Sequence, residues 1–164
     1  MMKSFSDFKN FYTNNFIFDL DNTLYNEIDF ILPIFKATCS ELCSELTDHL
    51  SSLFQKEYYL HGNDKLIDRV MPHDAILKSR FLKSYKKKLR GNDSFSHKIN
   101  VFPNFEMFLR SRYFASRPLI IITNGNPLQQ KYKIELLNLR NKVDKFYVFF
   151  ANEIEPKPNK EVWD

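Results

Sequence analysis

The stretch that decides the fold is Phe16-Ile17-Phe18-Asp19-Leu20-Asp21-Asn22-Thr23-Leu24-Tyr25. It begins as an apolar run of strand-forming residues, and Asp19, Asp21 and Thr23 follow directly. Open α/β sheets bind their ligands at the carboxyl ends of the strands, which is where these side chains are expected. An ordinary Asx-rich turn after a strand would contain the same residue types, so the interpretation depends on the rest of the chain.

Two later segments continue this pattern. Leu119–Ile122 is a short apolar strand that ends in a turn-forming segment, and Tyr147–Phe150 is a third strand. The residues between them predict a helix from Leu128 to about Leu139. Because strand and helix alternate, we expect an α/β fold with a Rossmann-like core and a parallel sheet.

The middle of the chain, from about Asn26 to Asn100, follows helical periodicity. One predicted helix has a single apolar face formed by Phe35, Cys39, Leu42, Leu46 and Leu50. A second has a face formed by Leu77, Phe81, Tyr85 and Leu89 and ends at Gly91. We therefore predict that residues 1–25 and 101–164 form the α/β core and that residues 26–100 form a small all-α domain inserted after strand 1.

Composition narrows the class of protein. The 164 residues include 17 Phe and only 3 Gly, which favours a folded domain over a disordered chain, and the net charge of +4 decides little by itself. No apolar run approaches the roughly 18 residues of a membrane span, and the start lacks a secretory signal. We expect a cytoplasmic protein with no membrane partner. Cys39 and Cys43 suit neither a disulfide framework nor a complete zinc site.

A basic cluster lies on the second predicted helix. Seven of thirteen consecutive residues are Lys or Arg, namely Lys78, Arg80, Lys83, Lys86, Lys87, Lys88 and Arg90. Such a cluster can attract nucleic acid or steer a small anionic substrate, but most charge runs are solvated helix faces. We rank nucleic-acid binding below the interpretations developed in the following paragraphs.

The three strand ends are expected to bring reactive groups together. The first presents Asp19 and Asp21, the second presents Thr123 and the peptide N–H groups of Asn124–Gly125, and the loop after the third presents Lys157. A nucleophilic carboxylate, a hydroxyl beside N–H donors and a lysine are the groups that phosphoryl transfer requires.

In this order the motifs resemble those of the haloacid dehalogenase superfamily of phosphohydrolases. The first motif matches Asp19, Asp21 and Thr23, the second matches Ile120–Gly125, and the lysine motif matches Lys157-Pro158. The segment after Thr123 is also similar to members with a helical cap inserted after the first motif, through Gln129, Gln130, Lys133 and Leu139.

The resemblance implies a role for each residue. Asp19 would attack phosphorus to form an aspartyl-phosphate, and Asp21 would protonate the leaving oxygen and then activate water. Thr123 and the nearby amides would hold the phosphoryl oxygens, and Lys157 would offset negative charge. Magnesium would bridge the Asp19 carboxylate, the backbone carbonyl of Asp21 and the substrate phosphate.

The same resemblance favours one reaction class. Members that displace halide lack an acid at the position of Asp21, so we expect a phosphomonoesterase rather than a dehalogenase. Its substrate would be a small phosphorylated metabolite of the nucleotide or sugar phosphate class. The alternative is a catalytically impaired or truncated protein of this fold that acts only in binding.

One part of the family pattern has no match. The fourth motif, an acidic cluster that completes the magnesium site, lies one helix and one strand beyond the lysine, whereas the sequence ends at Asp164. We therefore expect a chain truncated before this motif, with weakened magnesium affinity. The strand Phe16–Leu20 would then lie at an exposed sheet edge and favour self-association.

Overall fold

The chain divides into two compact units, residues 1–26 with 98–164 and residues 27–97. The computed structural model describes residues 16–71, 75–111, 114 and 117–153. In chain order its elements are β1 (Phe16–Phe18), α1 (Glu27–Leu42), α2 (Thr47–His61), α3 (Leu66–Val70), α4 (Ala75–Leu89), α5 (Pro103–Leu109), β2 (Leu119–Thr123), α6 (Pro127–Leu136) and β3 (Phe146–Phe150).

The first unit is built on a parallel sheet with the strand order β1-β2-β3. Phe18 pairs with Ile121, and the last pair of the other ladder joins Thr123 to Phe150. Every residue of β2 is buried, as expected of a central parallel strand. The predicted α/β fold with a parallel sheet is confirmed. The first strand is shorter than predicted, so Asp19 and Leu20 belong to the loop that follows it.

The third predicted helix begins where expected and ends early. Asn126 caps α6, because its side-chain oxygen accepts hydrogen bonds from the N–H groups of Leu128 and Gln129. Pro127 occupies the first turn, where its missing N–H costs nothing. The helix stops at Leu136, and Asn138 then adopts a left-handed conformation with φ 51°.

An apolar groove runs beside β1 and is lined mainly by aromatic rings. Phe16 packs edge-on against Phe108, with ring centroids 5.2 Å apart, and Phe18 packs edge-on against Phe105 at 5.1 Å. Ile17, between the two, is 38% exposed. Within the described part of the chain β1 pairs only with β2, so its outer edge has no strand beside it.

We predict that the native chain self-associates through the outer edge of β1, since unpaired strand edges are templates for pairing. Ile17→Lys places a charge on this edge and should shift the chain towards monomer. Sedimentation velocity over a range of concentrations measures the change. Leu46→Lys, at a 43% exposed position of the helical unit, is the matched control. A native chain that stays monomeric, or an equal effect of both variants, contradicts the prediction.

The second unit contains helices α1 to α4. The prediction of a single helix through Phe35 and Leu50 was wrong. The apolar face expected from Phe35 to Leu50 is divided between α1 and α2, with a short 3₁₀ turn over Ser44–Leu46. Cys43 leaves the helical region at φ −153°, and Leu46 is exposed rather than buried. The apolar periodicity of the sequence continues across the point where the helix is interrupted. Both cysteines are free, and Cys39 is fully buried.

The second predicted helix is confirmed as α4, with Phe81 and Tyr85 buried and Gly91 at φ 69° after its end. No helix in the described residues could cross a membrane, since none combines the necessary length with sufficiently apolar side chains.

The basic cluster on α4 is partly structural. The Lys88 side chain is only 7% exposed, and its Nζ lies 2.5 Å from Glu41 Oε2 and 3.4 Å from Asp93 Oδ2. Lys78 forms an ion pair with Asp68 at 2.6 Å. A buried lysine requires such partners, because an unpaired charge is costly to remove from water. Lys88 therefore holds α4 to α1 and does not belong to a solvated face.

Lys88→Met should destabilise the native chain by about 1–2 kcal/mol, because hydrogen bonds to charged groups contribute about 1.5–3 kcal/mol and solvent screens the half-exposed Glu41 partner. Hydrogen bonds from Lys88 and Ser84 lower the pKa of Glu41 from its ordinary value of 4.5. The stabilisation is therefore complete above pH 4.5 and is lost as the pH falls through the lower folded-state pKa.

Urea unfolding followed by circular dichroism should accordingly show that the native chain loses more stability below pH 4.5 than Lys88→Met does. Lys86→Met, at an exposed position of the same helix, is the control. Equal acid dependence of the native chain and Lys88→Met would contradict the prediction.

Candidate active site

The loop after β1 closes tightly on itself. The N–H of Leu24 donates to the carbonyl of Leu20 at 3.1 Å, and both side chains are fully buried. Asn22 turns the chain in a left-handed conformation at φ 56°, which asparagine tolerates better than most residues. Two buried leucines thus anchor the loop, while Asp19 and Asp21 remain partly exposed.

The Asp21 carboxylate is held by three side chains. Lys133 Nζ lies 2.8 Å from each of its oxygens, and Gln130 Nε2 donates to Oδ2 at 3.1 Å. The hydroxyl of Tyr25, a fully buried residue, donates to Oδ1. Lys133 is 1% exposed and the Asp21 side chain 23%. This network fixes the orientation of Asp21 and ties the loop after β1 to α6.

Sequence reasoning assigned no role to Tyr25, Gln130 or Lys133. Gln130 and Lys133 appeared only as part of the resemblance, and a charged residue in a helix is usually expected to face water. The one available signal is the spacing of three between them, which places both on the same face of α6.

The parallel pairing of β1 with β2 brings the second predicted motif to the same edge. Phe18 pairs with Ile121, so Asp19 and Thr123 both lie at the carboxyl ends of neighbouring strands. Thr123 is 1% exposed, and its hydroxyl donates to the carbonyl of Asn124 at 3.2 Å.

Gly125 forms the tightest part of the loop after β2. It has φ +108°, and a Cβ at this position would lie 2.8 Å from Gln130 Nε2. That same Nε2 donates to the carbonyl of Asn124 at 2.5 Å. The N–H of Gly125 donates to Asn152 Oδ1 at 3.3 Å, so a phosphoryl oxygen would compete with Asn152 for this donor. No sequence pattern pointed to Asn152.

The lysine motif is not part of this geometry, because Lys157 lies outside the described residues. The proposed role of Lys157 therefore stays a prediction, as do the roles of Asp19, Asp21, Thr123, Asn124 and Gly125. What the described residues establish is that two carboxylates, a buried hydroxyl and a tight glycine loop occupy adjoining strand ends.

The described residues provide only part of the ligand set that a metal ion would need. The described residues include no group of three or more His, Cys, Asp or Glu side chains that could hold an ion. Both oxygens of Asp21 already accept hydrogen bonds, so the candidate metal ligands are the Asp19 carboxylate and main-chain carbonyls. These hard oxygen ligands suit magnesium, which commonly retains several waters beside one or two carboxylates.

The family model of haloacid dehalogenase-like hydrolases matches residues 16–164. The chain belongs to this family. The match includes both strand ends of the site, and it agrees with the α/β fold. No curated protein matches the sequence of this haloacid dehalogenase-like hydrolase.

The chain is similar to several solved structures at low sequence identity, and the first described here shares its fold. A hydrolase from Streptococcus pneumoniae TIGR4 is 12% identical with a TM-score of 0.55, and the alignment covers 92% of this chain and 73% of that one. A dehalogenase solved with an intermediate complex is 16% identical, with a TM-score of 0.46 and coverage of 92% and 68%. A putative beta-phosphoglucomutase from Thermotoga maritima is 17% identical, with a TM-score of 0.47 and coverage of 90% and 66%.

Gly125→Ala should disturb the site of this haloacid dehalogenase-like hydrolase more than an equivalent change elsewhere. The alanine would be strained at φ +108° and would push Gln130 away from Asp21, at a cost of about 1–3 kcal/mol. Gly62→Ala is the control, since Gly62 also has a positive φ, +68°, but nothing within 4 Å of the added Cβ. Urea unfolding compares the two, and an equal or smaller loss for Gly125→Ala contradicts the prediction.

Proposed function

We propose that this hydrolase cleaves phosphomonoesters through an aspartyl-phosphate formed on Asp19. The observation that carries the proposal is the second carboxylate, Asp21, fixed two residues away in the same loop by Lys133, Gln130 and Tyr25. A phosphatase of this type needs a nucleophile and a separate group that moves protons, and the loop provides one carboxylate for each task.

In the first half of the proposed reaction, an Asp19 oxygen attacks phosphorus and the bond from phosphorus to the leaving oxygen breaks. For this step Asp21 must carry a proton, which it gives to that oxygen, so the alcohol leaves neutral. The Lys133 ammonium then pairs with the Asp21 carboxylate that results. In the second half, Asp21 takes a proton from water as the water attacks phosphorus. The bond between phosphorus and Asp19 then breaks, which releases inorganic phosphate and restores both carboxylates to their starting states.

The loop after β2 would bind the transferred group. The hydroxyl of Thr123 and the N–H groups of Asn124 and Gly125 are donors at the strand ends beside the Asp19 loop. Donors fixed in advance stabilise the charge on the phosphoryl oxygens without reorganisation during the reaction. We assign Lys157 to the same task, as the resemblance implies. Release of the Gly125 N–H from Asn152 would accompany phosphate binding.

Magnesium fits this proposal through the Asp19 carboxylate and the main-chain carbonyl of Asp21. When bound, it supplies Lewis-acid neutralisation of the phosphoryl charge. The side chain of Asp21 would remain committed to Lys133 and Gln130 rather than to the metal.

The substrate class proposed is a small phosphorylated metabolite. Exposed basic residues in α4 and directly after it, Lys83, Lys86 and Arg90, give the helical unit positive charge that favours an anionic substrate. A dehalogenase would have no use for an acid held at Asp21, since halide leaves without a proton, so we place phosphate ester hydrolysis first.

The direct test is hydrolysis of p-nitrophenyl phosphate by the native chain with magnesium and with a chelator. We expect magnesium-dependent turnover that falls about a thousandfold or more in Asp19→Asn, because the nucleophile is lost. Asp144→Asn, at an exposed position of the same unit, should retain full activity.

The other outcomes identify the alternatives. No turnover by a folded native chain, combined with phosphate binding, would favour the reading in which the protein acts only in binding. Dehalogenation of a 2-haloacid without phosphatase activity would overturn the proposed reaction class. Unchanged turnover in Asp19→Asn would exclude Asp19 as the nucleophile.

A further inference from the structure

We infer that Lys133 is a positioning residue that holds the Asp21 carboxylate in the orientation needed for proton transfer, with Gln130 as its second support. The inference rests on the proposed function, in which Asp21 carries protons. It concerns two residues of α6 to which the motifs themselves give no task.

The burial of Lys133 is the first argument. Lysine is almost never fully buried unless it is paired, and Lys133 is 1% exposed with its ammonium 2.8 Å from both oxygens of Asp21. The two residues are 112 positions apart in the sequence. A pair of this kind gives little net stability relative to apolar packing, so its presence at a reactive carboxylate is better explained by the orientation that it imposes.

The geometry of Gln130 is the second argument. Its Nε2 donates both to Asp21 Oδ2 and to the carbonyl of Asn124, which fixes which end of the amide faces Asp21. The other amide atom, Oε1, is buried and has no hydrogen-bond partner among the described residues. An unsatisfied buried acceptor costs free energy. The position of the Gln130 side chain therefore satisfies the hydrogen bonds of Nε2 and leaves Oε1 without one.

Together these contacts connect the loop after β1 to the loop after β2. Lys133 and Gln130 lie one turn apart on α6, and they reach the loop after β1 through Asp21 and the loop after β2 through Asn124. The Lys133 ammonium and the Gln130 amide nitrogen can only donate hydrogen bonds. They therefore orient the Asp21 carboxylate by hydrogen-bond direction as well as by charge. A displacement of about 1 Å at a reacting group can cost roughly a hundredfold in rate, which is the scale on which such supports matter.

The test uses the leaving group to separate positioning from general structural damage. Ethyl phosphate needs a proton on its leaving oxygen, whereas p-nitrophenolate leaves readily without one. Lys133→Met keeps the length of the side chain and removes the charge. Its kcat should fall about a hundredfold for ethyl phosphate, the lower end of a general acid's contribution, and less than about tenfold for p-nitrophenyl phosphate. KM should stay the same for both.

Two further variants make the result specific. Asp21→Asn should show the same dependence on the leaving group, and adding Lys133→Met to it should cause little additional loss, since both changes act on one group. Lys131→Met is the matched control on the same helix, because Lys131 Nζ lies over the ring of Phe150, 5.4 Å from its centroid. It should leave both rates unchanged. An equal loss for both substrates in Lys133→Met would overturn the inference.

A second measurement does not depend on turnover. Acylation of lysines in the folded native chain, followed by mass spectrometry, should modify Lys133 at least about tenfold more slowly than exposed Lys145, because reaction requires local opening. Asp21→Asn should raise the Lys133 rate and leave the Lys145 rate unchanged. Equal rates at the two lysines in the native chain would overturn the pairing itself. Protection of Lys133 in a chain without any phosphatase activity would overturn the proposed function, and with it the catalytic purpose of the pair.

Discussion

Parallel pairing of β1 with β2 is the constraint on which the site depends. The pairing of Phe18 with Ile121 fixes where each strand ends, and both following loops therefore emerge at one edge of the sheet. Residues more than a hundred positions apart in the sequence become neighbours in this way. A shift of one residue in this register would exchange the two faces of a strand and separate these polar groups.

Polar contacts then tie these loops together at the edge. Lys133 and Gln130 reach from α6 to Asp21, and Gln130 also contacts the backbone of the glycine loop. Gly125 makes this approach feasible, since any side chain there would occupy the space of the Gln130 amide. A single helix, capped by Asn126, thus supports both the carboxylate loop and the loop proposed to bind phosphate.

The sequence predicted the architecture more fully than the site. Alternating strands and helices led to the α/β fold and parallel sheet, because apolar runs and caps are local signals. The prediction of one long helix through Leu46 was wrong, because apolar periodicity does not reveal that the helix is interrupted at Cys43. The Lys133 pair was missed because its partner lies far away in sequence, and a helical lysine is normally solvated. Local patterns do not encode such distant contacts.

The central claim, that water attacks phosphorus and not the carboxyl carbon of Asp19, is tested most directly by turnover in ¹⁸O-labelled water. The account predicts that the heavy oxygen appears in the released phosphate and that a peptide containing Asp19 stays unlabelled, because water never attacks the carboxyl carbon. Incorporation of ¹⁸O into Asp19 would contradict it. That result would mean that water opens an ester at carbon, as required for displacement at a carbon centre, and the chain would not act as a phosphatase of the proposed kind.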